Sequence, residues 1–354
     1  MVILLIIKRF DFGGAENHVC ELANNLSVKG HKVFLIGRKG RQVRKLLPAV
    51  RYLDFYLNDI LLPLQVIALS VIVLRNRVDL IHGHQRLGIL AASLAGFITR
   101  TKVIATVHGR TRYDLKHALS RWLTDRFIFV SRKVLENASN KFNLDGSAVL
   151  ISNGVEIAPK LRTPDPYTIC HISRVDRPHY GFLRMMIEDV LPVLLKKYPS
   201  LQLLVLGDGP LKDKLKEAAE KLNREFSVDC CMVSGYRKNV VPYYRCASLV
   251  LGVGRVALEA SSLSVPVMLV SSKRMGGMLT WECYDTVKET NFVHVQAPEP
   301  DTASMIAEIE IYFSRRSEME KRAGELALQV REDFSMEKIT EKTLSVYSEL
   351  VETG

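Results

Sequence analysis

The sequence predicts two doubly wound α/β domains in tandem. Three observations predict it. The chain has 354 residues, more than the ~250–300 at which a single core stops growing. Short apolar runs alternate with helical periodicity in both halves, the pattern of a parallel sheet covered by helices on both faces. Between the halves, Ser152-Asn153-Gly154 and then Pro159, Pro164 and Pro166 interrupt the alternation, as a linker does. Hydrophobic residues at 47% and charged residues at 25% are ordinary for globular chains and argue against disorder.

Residues 2–7 are continuously apolar, the signature of a central strand buried on both faces. No basic segment precedes them and Lys8-Arg9 ends them, so they read as a strand rather than a secretory leader. A helix over 15–29 and a strand over 32–36 follow. Residues 60–77 read as a helix. Its apolar part, 60–74, is broken by Pro63, Gln65 and Ser70 and is short of the ~18–20 residues of a membrane span. A buried helix is expected there over an interfacial one. Then come a strand at 80–81, a helix over 87–99, a strand over 102–107, a helix over 113–123, a strand over 126–130, a helix over 133–141 and a strand over 148–151.

The alternation restarts with a strand over 167–172 and a helix around 183–197. Strands over 201–206, 230–233, 249–251 and 267–270 follow, with helices over 211–223, 240–245 and 256–262 between them. From residue 304 the chain reads as helical, ending with 336–351. No 20–50-residue period marks a repeat array. The boundaries drawn are 1–160, 161–335 and a final helical segment 336–354. Two such domains imply a cleft in which ligands bind.

Charge is divided unevenly. Lys+Arg number 49 against 38 Asp+Glu, a formal +11. Residues 1–160 carry +13 and the rest −2, so the first domain is expected to face an anion. Arg38, Lys39, Arg41, Arg44, Lys45 and Arg51 fall within one stretch, and Arg110, Arg112, Lys116, Arg121 and Arg126 follow His108. The first stretch lacks interleaved aromatics, and no helix-turn-helix or RRM pattern appears, so nucleic acid is not the expected partner. An anionic membrane surface is, at ~1 kcal/mol per basic residue. Leu46-Leu47 and the 60–74 helix would add apolar insertion. Six cysteines without a CxxC pair read as reduced thiols. The expected place is cytoplasmic, peripheral on the inner face of the membrane.

Several motifs lie where strands open into helices. Gly13 and Gly14 sit between the first strand and helix, where glycines let backbone N–H groups approach a phosphate. The spacing is not Gly-x-Gly-x-x-Gly, which disfavours a dehydrogenase-type dinucleotide fold. His82, His84 and His108 follow strands on the carboxyl edge of the sheet, where ligands bind. Asp79 and Asp114 form no familiar ligand spacing with them, so no metal is expected. Gly207 and Gly209 flank Asp208 at another strand end. Gly252, Gly254 and Arg255 form a turn suited to phosphate, and Glu259, a turn further on, suits sugar hydroxyls. Gly276-Gly277 is expected in a loop on the same edge. Plain turns and solvated side chains are the competing readings for each.

Taken in order, these elements resemble the retaining glycosyltransferases of family 4, which have the GT-B fold of two Rossmann-like domains. The resemblance covers nearly the whole chain. It rests on Gly13-Gly14-Ala15-Glu16 with Gly30-His31-Lys32-Val33, on Asp79 to His84, on Val107-His108-Gly109 and on Ile151 to Val155. In the second half it rests on Gly207 to Pro210, Ala257-Leu258-Glu259-Ala260, Val265-Pro266-Val267, and Phe334-Ser335-Met336 with Tyr347.

The resemblance implies sugar transfer from a nucleotide sugar to a cell-envelope, lipid-linked or saccharide acceptor, with retention and without a metal or other cofactor. It makes 1–160 the acceptor domain, with His82, His84 and Arg110 near the acceptor, and 161–335 the donor domain. It makes His108 and Arg174 catalytic, His108 beside the transferred sugar and Arg174 at the diphosphate. It gives Glu259 the ribose and Gly14 the approach to phosphate. The final helix would cross back to the first domain.

Two positions depart from the family's pattern. Leu251 stands eight residues before Glu259, where a Glu is usual, and His179 stands five after Arg174, where a Lys is usual. Arg255 is expected to replace the lost Lys charge. A nucleotide-binding protein without turnover and a nucleotide-sugar epimerase remain as alternatives.

Overall fold

Val2–Phe10 forms the central strand β1 of the first unit, its middle five residues buried. It is followed by α1 (Gly14–Val28), β2 (Lys32–Lys39), a 3₁₀ turn (Arg41–Lys45), β3 (Arg51–Asp54) and α2 (Leu62–Asn76). Then come β4 (Leu80–His84), α3 (Arg86–Thr99), β5 (Lys102–Val107), α4 (Leu115–Leu123), β6 (Arg126–Phe129), α5 (Arg132–Ser139) and β7 (Ala148–Leu150). The strands pair in parallel in the order β3-β2-β1-β4-β5-β6-β7. The computed structural model describes residues 1–11, 13–109, 115–144, 146–156, 165 and 167–352.

The second unit contains β8 (Thr168–Ile172), α6 (Arg177–Met185), a π-helical turn (Met186–Val190), α7 (Leu191–Lys197), β9 (Gln202–Leu206) and α8 (Lys212–Phe226). It continues with β10 (Cys231–Ser234), α9 (Val241–Cys246), β11 (Leu249–Gly252), α10 (Arg255–Ser262), β12 (Val267–Ser271) and β13 (Arg274–Met278). Three helices close it: α11 (Trp281–Lys288), α12 (Thr302–Ser314) and α13 (Arg316–Phe334). The strand order is β10-β9-β8-β11-β12-β13, parallel except for the antiparallel β13. The π turn lies just ahead of Pro192, whose missing N–H interrupts α-helical bonding.

Residues 1–156 and 334–354 make up the first unit and 157–333 the second. The last helix, α14 (Met336–Glu352), packs in the first unit. Met336, Ile339, Val346, Tyr347 and Leu350 join the core formed by β1, β2 and α1. Val155 bridges Ser335 at its entry, and Lys29 Nζ lies 2.8 Å from Glu341.

Three expectations need correction. The 3₁₀ turn, β3 and α11 are additions to the expected elements, because they are short and weakly periodic. Gly276 and Gly277 lie in the edge strand β13, not in a loop. The helix expected to be buried over 60–77 is α2, and only one of its faces is covered. Leu62, Val66, Leu69 and Val73 pack on the sheet, while Leu64 and Leu74 are 67% and 62% exposed. Among the described residues no helix is long and apolar enough to cross a membrane.

Candidate active site

In a doubly wound sheet, ligands bind beyond the carboxyl ends of the two strands where the strand order reverses. In the second unit those strands are β8 and β11. His171, next to last in β8, donates from Nδ1 to the Leu251 carbonyl of β11 at 2.9 Å and so ties the two together. Burial pushes the imidazole down to about 4, so it is neutral at pH 7. Beyond β8 stands Arg174, exposed; beyond β11 the chain turns through Gly252 and Gly254 into α10. Gly254 caps α10 at φ 62°, ψ −132°, a conformation glycine adopts at least cost. The first turn of α10 presents N–H groups that favour an anion.

The side chains here are already paired. Arg255 Nε lies 2.6 Å from Glu259 Oε1, and Tyr244 Oη donates to Glu259 Oε2 at 3.1 Å. Arg255 is therefore engaged with the carboxylate assigned to the ribose. Tyr244 is fully buried, and burial followed by the Glu259 charge holds its hydroxyl protonated.

The loop carrying Arg174 is shaped by another motif. A Cβ at Gly207, whose φ is +154°, would stand 1.7 Å from the Ser173 carbonyl oxygen, and one at Gly209 2.3 Å from that of Val175. The Ser173 N–H bonds to Leu206 and the Val175 N–H to Asp208. Gly207 and Gly209 thus seat the residues on either side of Arg174. Asp176 sits between two side chains: Arg174 Nε is 3.6 Å away and His179 Nδ1 2.5 Å. The His179 hydrogen bond, more than the Arg174 charge, lowers the Asp176 carboxyl. His179 is thus turned onto a carboxylate. Leu251, at the other departing position, is fully buried in the core of the second unit.

In the first unit the order reverses between β1 and β4. Gly13 caps α1, and Glu16 lies in its first turn. Gln85, just past β4, donates to Glu16 Oε1 at 2.6 Å, and burial raises the Glu16 carboxyl. A Cβ on Gly14 would meet nothing within 4 Å. The histidines cluster beside this point. His18 of α1 lies 5.3 Å from His108 and 6.1 Å from His84, ring centre to ring centre. His84 Nδ1 is 3.2 Å from His108 Nε2. Among the described residues no set of three or more His, Cys, Asp or Glu is arranged to hold a metal.

His82 does not reach a ligand face. It lies inside β4, fully buried, 2.5 Å from Tyr347 Oη through Nδ1 and 2.7 Å from Thr106 Oγ1 through Nε2. This corrects its placement at an acceptor, because both ring nitrogens are bound within the core. Burial, then the His108 charge, pushes it down to about 3. His84 is equally buried, with Nε2 unpartnered. His108 is half-buried, just past the end of β5, and burial pushes it down to about 4. It opens on a cavity of about 150 Å³ walled by Ile89, Phe127, Phe129, Phe142 and Leu144. Arg110 lies outside the described residues.

Sequence reasoning had Glu16 only as the end of the Gly13-Gly14-Ala15-Glu16 motif and missed Gln85, Tyr244 and Asp176. The Asp176-Arg177-Pro178 helix start was a readable signal for Asp176. Tyr244 had none, since only the fold brings it to Glu259.

Two doubly wound units in one chain, each with polar groups at its switch point, are the architecture of the GT-B fold. Residues 12–158 match the family described as Glycosyltransferase Family 4, and 166–301 match Glycosyl transferases group 1. The chain belongs to glycosyltransferase family 4. It is 29% identical over 248 residues to a subunit of human phosphatidylinositol N-acetylglucosaminyltransferase, covering 60% of this chain and 48% of the relative. The chain thus spans about half the length of that relative. With the Arabidopsis thaliana protein of the same name it is 26% identical over 381 residues, covering 95% and 79%. Among solved structures, HepE of Anabaena in complex with UDP superposes with a TM-score of 0.77 at 15% identity, covering 99% of this chain and all of that one.

Proposed function

We propose that the protein transfers a sugar from a nucleoside-diphosphate sugar to a lipid-linked acceptor at an anionic membrane surface, with retention and without a metal ion. The observation that carries the donor assignment is the β8–β11 switch point, where Arg174 follows β8 and the amino end of α10 follows the adjacent β11, with Glu259 one turn inside the helix. Departure of a nucleoside diphosphate puts negative charge on its phosphates. A guanidinium and fixed backbone N–H groups lower the barrier because they meet that charge without reorganising. Glu259 accepts from a ribose hydroxyl while Arg255 and Tyr244 hold its carboxylate in place. His108, neutral at pH 7, hydrogen-bonds the sugar without adding charge. The relatives named for phosphatidylinositol support an inositol-lipid acceptor, and the UDP complex supports uracil as the first base to try.

The test is a panel of nucleotide sugars read by thermal shift, then nucleoside-diphosphate release with phosphatidylinositol as acceptor. Release with donor and acceptor together, and a kcat/KM at least about a hundredfold lower in Arg174→Ala, are expected. The anomeric configuration of the product reads retention, and unchanged turnover in EDTA reads metal independence. Donor binding without release would instead establish a second reading, a nucleotide-binding protein without turnover. Buried Leu251 and the His179–Asp176 pair favour that reading, since neither departing position offers a side chain to the donor. Isomerisation of the sugar with donor alone would point to an epimerase.

A further inference from the structure

The outer face of α2 is apolar and bare. Leu64, Ile67, Val71 and Leu74 lie along it at helical spacing, with Ile67 58% exposed. Ile60, just ahead of the helix, is 86% exposed. The neighbouring α3 ends in exposed Phe97 and Ile98, and α4, packed on α3, ends in Trp122, 78% exposed. These side chains belong to three successive helices of the first unit. So much open apolar surface on one set of helices marks a place of contact.

The three helices themselves carry charges of one sign, with no Asp or Glu in any of them, although exposed Asp59 stands just ahead of Ile60 and exposed Asp79 follows α2. Neither residues 60–78 nor residues 80–113 contain an Asp or Glu. Asp79, between them, accepts from the Val2 N–H at 2.7 Å. Arg75, Arg77 and Arg100 are exposed at the carboxyl ends of α2 and α3, beside Leu74, Phe97 and Ile98. Arg77 and Arg100 are the cap residues of those helices, and both are left-handed, at φ 51° and 57°. Glycine takes that conformation with the least strain. An Arg at both caps keeps a basic side chain at each apolar helix end in spite of the backbone.

We propose that this α2–α3–α4 face is the surface by which the protein lies on an anionic lipid bilayer. Leu64, Ile67, Leu74, Phe97 and Trp122 enter the headgroup boundary, and Arg75, Arg77 and Arg100 meet lipid phosphates. The proposal deepens the membrane reading above and rests on it, but moves the contact away from the Arg38–Arg51 stretch. Charge decides the occupant. A second copy docked by the same face would bring like-charged Arg residues together. An anionic bilayer complements the Arg side chains and moulds to apolar residues spread over three helices.

The test is flotation with phosphatidylcholine vesicles, with and without phosphatidylglycerol. The wild type should float with the anionic vesicles, less so as salt rises. Arg77→Gly/Arg100→Gly should lower partitioning about thirtyfold, from ~1 kcal/mol per Arg. Its Tm should hold or rise, because glycine relieves both caps. Ile67→Ser/Leu74→Ser should weaken binding further. A wild type that fails to float overturns the membrane reading and this face with it. If the wild type floats and the double-glycine variant floats equally, the membrane reading stands and this face falls. Loss confined to Arg41→Gln/Arg44→Gln also overturns the face. So does a wild-type dimer that Ile67→Ser separates without changing flotation.

Discussion

Glu259 and Arg255 show how a side chain's role depends on its neighbours. Both are visible in the sequence four residues apart, a spacing that on a helix brings them into contact. Because they are paired, Arg255→Ala and Glu259→Ala should not be additive. Each should weaken nucleotide binding, and the double variant should bind little worse than Glu259→Ala, with a coupling of about 0.5–3 kcal/mol in a double-mutant cycle. Calorimetric titration with UDP checks it, and strict additivity would mean that Arg255 meets the nucleotide by itself.

Glycines at strand ends separate in the same way. Gly207→Ala forces a Cβ onto the Ser173 carbonyl and should destabilise the protein by roughly 2–5 kcal/mol, seen in denaturant unfolding. Gly14→Ala meets nothing and should leave Tm unchanged. Any loss of donor affinity in that variant then reports a close approach of phosphate to the backbone.

At the scale of elements, α14 is the clearest case of local and distant structure acting together. Its amphipathic period was legible in the sequence, and the family resemblance named the first domain as the core that receives it, although no local pattern does. Five of its side chains are buried in the first unit, at ~1.5–3 kcal/mol each. That is of the order of a domain's whole stability, ~5–15 kcal/mol. A chain ending after Ser335 should therefore lose cooperative unfolding of the first unit, followed by circular dichroism. Tyr347→Phe is milder: it leaves buried His82 without its Nδ1 partner and should cost about 1–3 kcal/mol. The opposite case is α2. Its largely apolar sequence reads as a buried helix, because composition cannot say whether a second layer covers it. The fold covers one face and leaves the other open.

For the molecule as a whole, pH is the broadest probe. His82, His108 and His171 are neutral when folded, with burial holding them at about 3, 4 and 4, and each takes a proton near 6.5 once unfolded. Below 6.5 the unfolded chain therefore binds protons that the folded chain does not. Stability should be full above that pH and fall as pH drops toward 4, by up to about 2 kcal/mol per histidine at pH 5. Denaturant midpoints at neutral and acid pH check this, and a midpoint rising with acid would refute it.

Local chemistry fixed much of this protein. Apolar runs of strand length, helical periods and the Pro-rich break gave two parallel-sheet units, because both periods are set by backbone geometry within a few residues. The turns at 252–255 and 207–210 were legible for the same reason. The tertiary structure decided what no local pattern encodes. It buried His82 against Tyr347, 265 residues away, and set Tyr244 on Glu259. It also left the outer face of α2 open. Burial and partnership depend on which distant segment arrives at a position, and that is set by packing of the whole chain rather than by the residues nearby.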